Sequence, residues 1–188
     1  MKSILGLLAF GILSLQANAG EFSRTAEFAS IEAFVTAAKS FQPATTKSDL
    51  AALFTIREAG QPEDPNTGRP TAATIIHSSN LLWSDDTQAL VFATAQPPIE
   101  ATRTSVGVLF LLIQRHGHWQ IGDLMRFTAT GKYAEVSAQV TGSADTGSKV
   151  HGLPIVTIKE SHGGRGHSYQ LSATYTIALS RLQRMKLE

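Results

Sequence analysis

The chain contains no cysteine. Disulfides, thiolate chemistry and a lipid on an N-terminal cysteine are therefore excluded, and packing alone has to hold the fold. Charge is also scarce, with Asp, Glu, Lys and Arg making up 16% of 188 residues, 16 of them basic and 15 acidic. A surface this neutral, without a basic run, argues against nucleic acid and against an anionic membrane face as partner. Beyond the N-terminus no apolar run reaches the ~20 residues that a membrane-spanning helix needs. Catalytic signatures are missing too: there is no Gly-x-Ser-x-Gly elbow, no His-Glu-x-x-His, no Walker lysine and no dinucleotide fingerprint. No cofactor is expected.

What is present begins with an export signal. Lys2 supplies a positive start, Ile4 to Leu15 an apolar stretch, and Ala17-Asn18-Ala19 the small residues that signal peptidase requires. Cleavage near Ala19-Gly20 predicts a periplasmic or secreted bacterial protein. Residues 20–188 then form a single domain, long enough to bury a core without disulfides. Lys2 leaves with the signal, so the mature chain balances 15 basic against 15 acidic side chains. No membrane insertion is expected after cleavage.

Apolar spacing predicts two short helices first. Ile31, Phe34, Val35 and Ala38 recur at helical intervals behind Ser30 as N-cap, and Leu50, Leu53 and Phe54 share a face after Ser48. Residues 60–70 (GQPEDPNTGRP) hold three prolines and two glycines and read as a surface loop. Everything beyond reads as strands. Residues 74–83 and 87–95 flank a polar turn at Ser84-Asp85-Asp86, and 105–114 and 118–127 flank a two-residue turn at His116-Gly117. Across that turn Phe110 is expected to face Asp123, Leu112 to face Ile121 and Gln114 to face Trp119. Val106, Val108, Phe110 and Leu112 then share a surface with Trp119, Ile121, Met125 and Phe127. Leu109, Leu111 and Ile113 make the other face apolar as well, so this strand should be central. Residues 133–141 alternate, and 153–160 and 168–179 form a last hairpin around Gly163-Gly164-Arg165-Gly166. There the apolar positions coincide if Ile158 faces Leu171, Val156 faces Ala173 and Glu160 faces Tyr169. The tail after Leu179 reads as a short helix or an unpaired end. The expected class is α+β: two short N-terminal helices packed on one curved, mostly antiparallel sheet of about six or seven strands.

Two consecutive hairpins carry a family resemblance. IIHSSNLLWSDDTQALVFATAQ is a strand, an acidic turn and a strand, while VGVLFLLIQRHGHWQIGDLM ends its first strand at Arg115 and resumes with Trp119-Gln120-Ile121. From Ile75 to Phe127 the chain resembles the nuclear transport factor 2-like (cystatin-type) α+β cone. That resemblance implies a sheet and helices enclosing a pocket, in a family holding small-molecule isomerases and hydrolases as well as non-enzymatic binding domains. The chain differs from the family pattern in its Pro-rich loop and in continuing through residues 142–188.

Two groups of residues invite chemistry. In the unbroken register Asp123 lies on an apolar surface, where desolvation favours a general acid or base, with Trp119, Phe110 and Met125 as ligand-binding walls. The alternatives are that a bend or bulge near Gly122 turns it outward, or that it caps a nearby backbone group or pairs with Arg126. Glu160, His162 and His167 gather with Tyr169 at the tip of the last hairpin, where two imidazoles and a carboxylate suit a zinc ion. The same tip also reads as a solvated polar turn. His77 alternates with Ile75 and Ser79 on its strand, as a further ligand-binding candidate or a plain sheet histidine. The leading expectation is a non-catalytic domain of the cell envelope that binds a small molecule or another envelope protein. A pocket enzyme using Asp123 and a metal-binding protein are the alternatives.

Overall fold

A computed structural model describes residues 22–43, 46, 48–55, 75–96, 104–131, 133–144, 152–163 and 168–185. The expected signal segment, the 60–70 loop and His167 lie outside them. Among the described residues two helices, α1 (Ile31–Ser40) and α2 (Ala51–Phe54), precede eight strands: β1 (Ile75–Ser84), β2 (Gln88–Gln96), β3 (Thr104–Arg115), β4 (His118–Thr130), β5 (Glu135–Ala144), β6 (Leu153–Gly163), β7 (Ser168–Ala178) and β8 (Arg181–Arg184). They form two separate antiparallel sheets, ordered β1-β2-β3-β4 and β5-β6-β7-β8. The single curved sheet of six or seven strands expected from the sequence is therefore corrected to two four-stranded sheets in a mostly β fold. Alternation along a strand tells which side chains share a face, but not whether the next strand extends the same sheet. Here β4 and β5 adjoin in sequence without pairing.

Local chemistry explains the elements. Ser30 caps α1 by accepting the Ala33 N–H at 3.1 Å, with Glu32 in the first turn and Lys39 in the last. The Asp85 carboxylate accepts the main-chain N–H groups of Thr87 and Gln88, both at 2.7 Å, and folds the β1–β2 turn. His116 and Gly117 have φ of 51° and 83°, so the β3–β4 hairpin closes on two left-handed residues. The chain's tail forms β8, neither a helix nor an unpaired end. Its turn uses Leu179 and Ser180 at φ 49° and 58°, a hairpin made without glycine or asparagine and so without the usual sequence signature.

Sheet one is the middle of three layers. α1, α2 and the segment before them cover one face, and sheet two covers the other. On the helical side Phe22, Phe34 and Phe54 surround Phe110, with ring centroids at 5.9, 5.2 and 6.4 Å. On the opposite side Leu90, Phe92, Leu109, Leu111 and Phe127 pack against Val136, Val156, Ile158, Tyr175 and Ile177 of sheet two. Residues 105–112 of β3 are consequently all buried. Fully burying each Leu or Phe here contributes about 1.5–3 kcal/mol.

One irregularity decides which side chains meet. From the turn, Arg115 faces His118, Gln114 faces Trp119 and Leu112 faces Ile121, as the sequence predicts. A bulge then places Asp123 opposite Leu111, and Phe110 faces Leu124. Gly122 is the extra residue; any Cβ there would collide with the Ile113 side chain. Trp119 and Ile121 stay with the helical core, whereas Met125 and Phe127 are moved to the inter-sheet core. The expectation that Asp123 shares a surface with Phe110 and Trp119 is overturned. In the last hairpin Ile158 faces Ala173, Val156 faces Tyr175 and Glu160 faces Leu171, two residues away from the expected pairing. A two-residue slip keeps every side chain on its own face, so alternation cannot detect it.

Where β4 leaves sheet one, Gly131 has φ of 108° and a Cβ on it would collide with the Gly163 carbonyl of β6. Gly131→Ala should therefore lower the unfolding free energy by at least about 1–3 kcal/mol in urea titration. An unchanged midpoint would contradict the close approach of the two sheets there.

Candidate functional site

β4 is the last strand of sheet one, so alternate main-chain N–H groups along its outer side have no ladder partner. Those of Trp119, Leu124, Thr128 and Thr130 find acceptors. At the start, Trp119 and Phe28 exchange N–H···O bonds of 2.8 and 2.9 Å, a short bridge to the segment before α1. At the end, Thr128 N–H donates to Glu160 Oε1 at 3.1 Å and Thr130 N–H to His162 Nδ1 at 3.2 Å. Both acceptors belong to β6 of the other sheet. Between them the relation reverses: Asp123 Oδ2 accepts the N–H of Leu182 on β8 at 2.9 Å, while Oδ1 accepts that of Leu124 at 2.9 Å.

Three of the residues that the sequence nominates for chemistry, Asp123, Glu160 and His162, thus form the seam between the sheets. Asp123 is half-buried with both oxygens occupied by main-chain donors. Removing such an acceptor would strand a donor at about 1–3 kcal/mol. Accepting at Nδ1 requires the neutral His162 ring protonated on Nε2. That ring stacks on Tyr169 with centroids 4.7 Å apart and planes 5° from parallel, and Nε2 is buried without a partner among the described residues. Among the described residues no three His, Asp or Glu side chains gather to hold a metal ion. The proposed wall residues do not converge either. Phe110 and Trp119 sit in the helical core and Met125 in the inter-sheet core. His77 is exposed on β1.

Beside the seam lies an open groove of about 320 Å³. β4 contributes Arg126 and Phe127, β6 Ile158 and Glu160, β7 Leu171 to Ala173 and Tyr175, and β8 Arg184. Phe127, Ile158 and Tyr175 form a buried floor, and Leu171 is 50% exposed at the rim. Arg126 donates from Nε to the Leu53 carbonyl at 2.7 Å and from a terminal nitrogen to that of Thr55 at 3.4 Å, closing the end of α2. Burial lowers its pKa from the usual range. The Tyr175 phenol is raised, chiefly by burial, with Arg184 opposing the shift and Glu160 adding to it. Chemically this is an apolar trough with a protonated hydroxyl and guanidinium groups at its margin. Sequence reasoning missed it because Arg184 lies in the tail not read as a strand. The alternation of Leu171, Ala173 and Tyr175 was the available signal.

No protein-family model, curated protein or solved structure matches the chain. Among the described residues no helix is long and apolar enough to cross a membrane.

The raised Tyr175 phenol has a stability consequence. As pH climbs past about 10, the unfolded chain loses this proton before the folded one does, so folding stability falls. Urea midpoints of the wild type should decline between about pH 9 and pH 11, and Tyr175→Phe should lessen that decline. Identical declines would contradict the burial of the hydroxyl.

Proposed function

We propose that the protein is a non-catalytic exported domain of the bacterial envelope, binding a small anionic ligand with an apolar body in the groove beside the seam. The observation that carries this reading is the commitment of Asp123, Glu160 and His162 to main-chain N–H groups of facing strands. A carboxylate whose two oxygens both accept structural bonds is poorly placed to shuttle a proton, so the acid–base alternative loses its main support. The metal alternative is weakened in the same way, because Glu160 and His162 each already spend an acceptor on β4.

The groove suits a binding role. Its floor of Phe127 and Ile158 takes apolar surface, and Tyr175 and Arg184 offer donors to a carboxylate or similar head. Glu160 opposes them, but its Oε1 is already bonded to Thr128. Export rests on the pattern of residues 1–19, and the absence of cysteine accords with an envelope location.

Octanoate provides a direct probe, read by calorimetry and by amide shifts on β6 and β7. Binding should exceed that of octanol, and Arg184→Ala should weaken octanoate by about tenfold while leaving octanol unchanged. Equal binding of the acid and the alcohol, or no response to Arg184→Ala, would overturn the reading.

A further inference from the structure

A second concavity lies on the far edge of sheet one, between α1 and β1, with a volume of about 300 Å³. We propose that it binds a short peptide with free termini, laid in extended form along the outer side of β1 as an added strand. This site is independent of the groove beside the seam.

Among the described residues β1 pairs only with β2, so alternate N–H and C=O groups face outward as a template for another strand. The template is short. Register shifts between Ile76 and Ser78 and between Leu81 and Trp83 make residues 78–81 the longest unbroken run of pairing. A guest strand is thereby limited to about three residues, which span roughly 10 Å when extended.

The neighbouring helix matches that length in charge. Glu32 and Lys39 both line the cleft and stand seven positions apart on α1. A rise of 1.5 Å per residue separates them by about 10 Å along the axis. A peptide's ammonium at Glu32 and its carboxylate at Lys39 would complement both ends at once. Glu32 is held ionised, its carboxyl lowered by its own main-chain N–H and the Ser30 hydroxyl. Ile31, Val35 and Leu81 supply an apolar wall between the charges, Leu81 being 44% exposed.

Ser79 adds the observation that points to an absent partner. It lines the cleft, is fully buried, and among the described residues its Oγ has no hydrogen-bond partner. Buried hydroxyls are rarely left in this state. A peptide group beside β1 would supply both donor and acceptor.

Trivaline, N-acetyl-trivaline and trivaline amide test the assignment with the whole chain. Trivaline should saturably shift the amide resonances of residues 78–81. Acetylation should weaken binding about three- to fivefold in the wild type but not in Glu32→Gln, and amidation likewise but not in Lys39→Gln. Ser79→Ala should weaken all three peptides alike. The proposal is overturned if trivaline leaves those amides unmoved, if the blocked peptides bind the wild type as well as the free one, or if the shifts fall on β6 and β7 instead.

Discussion

The unpaired outer side of β4 is the constraint on which the rest of the structure depends. A strand that ends a sheet leaves main-chain donors that must meet water or a partner, and β4 runs beside a second sheet that supplies partners. Its donors are met by Phe28 at one end and by Glu160 and His162 at the other. Asp123 returns the favour to β8 through Leu182. Side chains of one sheet thereby finish the backbone hydrogen bonding of the other, and the two sheets are held in one relative position without sharing a ladder. The apolar interface between them contributes more free energy, but it is less directional. The polar seam selects among the ways in which two greasy faces can slide.

Much of the fold is legible in the residues. The helical spacing of Ile31, Phe34, Val35 and Ala38 behind Ser30 gives α1, and the doubly apolar run of residues 105–113 gives a strand covered on both faces. His116-Gly117 marks its hairpin correctly. The misreadings share a physical origin, since hydrophobic alternation encodes faces and not partners. A bulge at Gly122 inverts the faces of everything after it, yet the sequence on either side remains plausibly alternating. The two-residue displacement between β6 and β7 alters every pairing and no face. β8 was hidden by a turn of Leu179 and Ser180, residues that seldom take left-handed conformations. The division into two sheets depends on β4 and β5 failing to pair, which local pattern does not record.

The candidate site shows the same limits. Asp123, Glu160 and His162 stand out in the sequence because polar groups among apolar neighbours are unusual, and the structure gives each a structural duty. Unusual polarity identified where something happens, though what happens is edge completion. The groove beside them escaped notice because its members come from four strands, one of them unrecognised. It has an apolar floor bordered by Tyr175 and Arg184, the arrangement on which the proposed binding role rests.

Amide hydrogen exchange at Leu182 tests the seam most directly. This N–H lies on the outer side of the short strand β8, where among the described residues the Asp123 carboxylate accepts it. The seam requires slow exchange in the wild type, and exchange approaching the rate of a free amide in Asp123→Ala while the β3 amides stay protected. Rapid exchange in the wild type, or equal protection in both proteins, would contradict it.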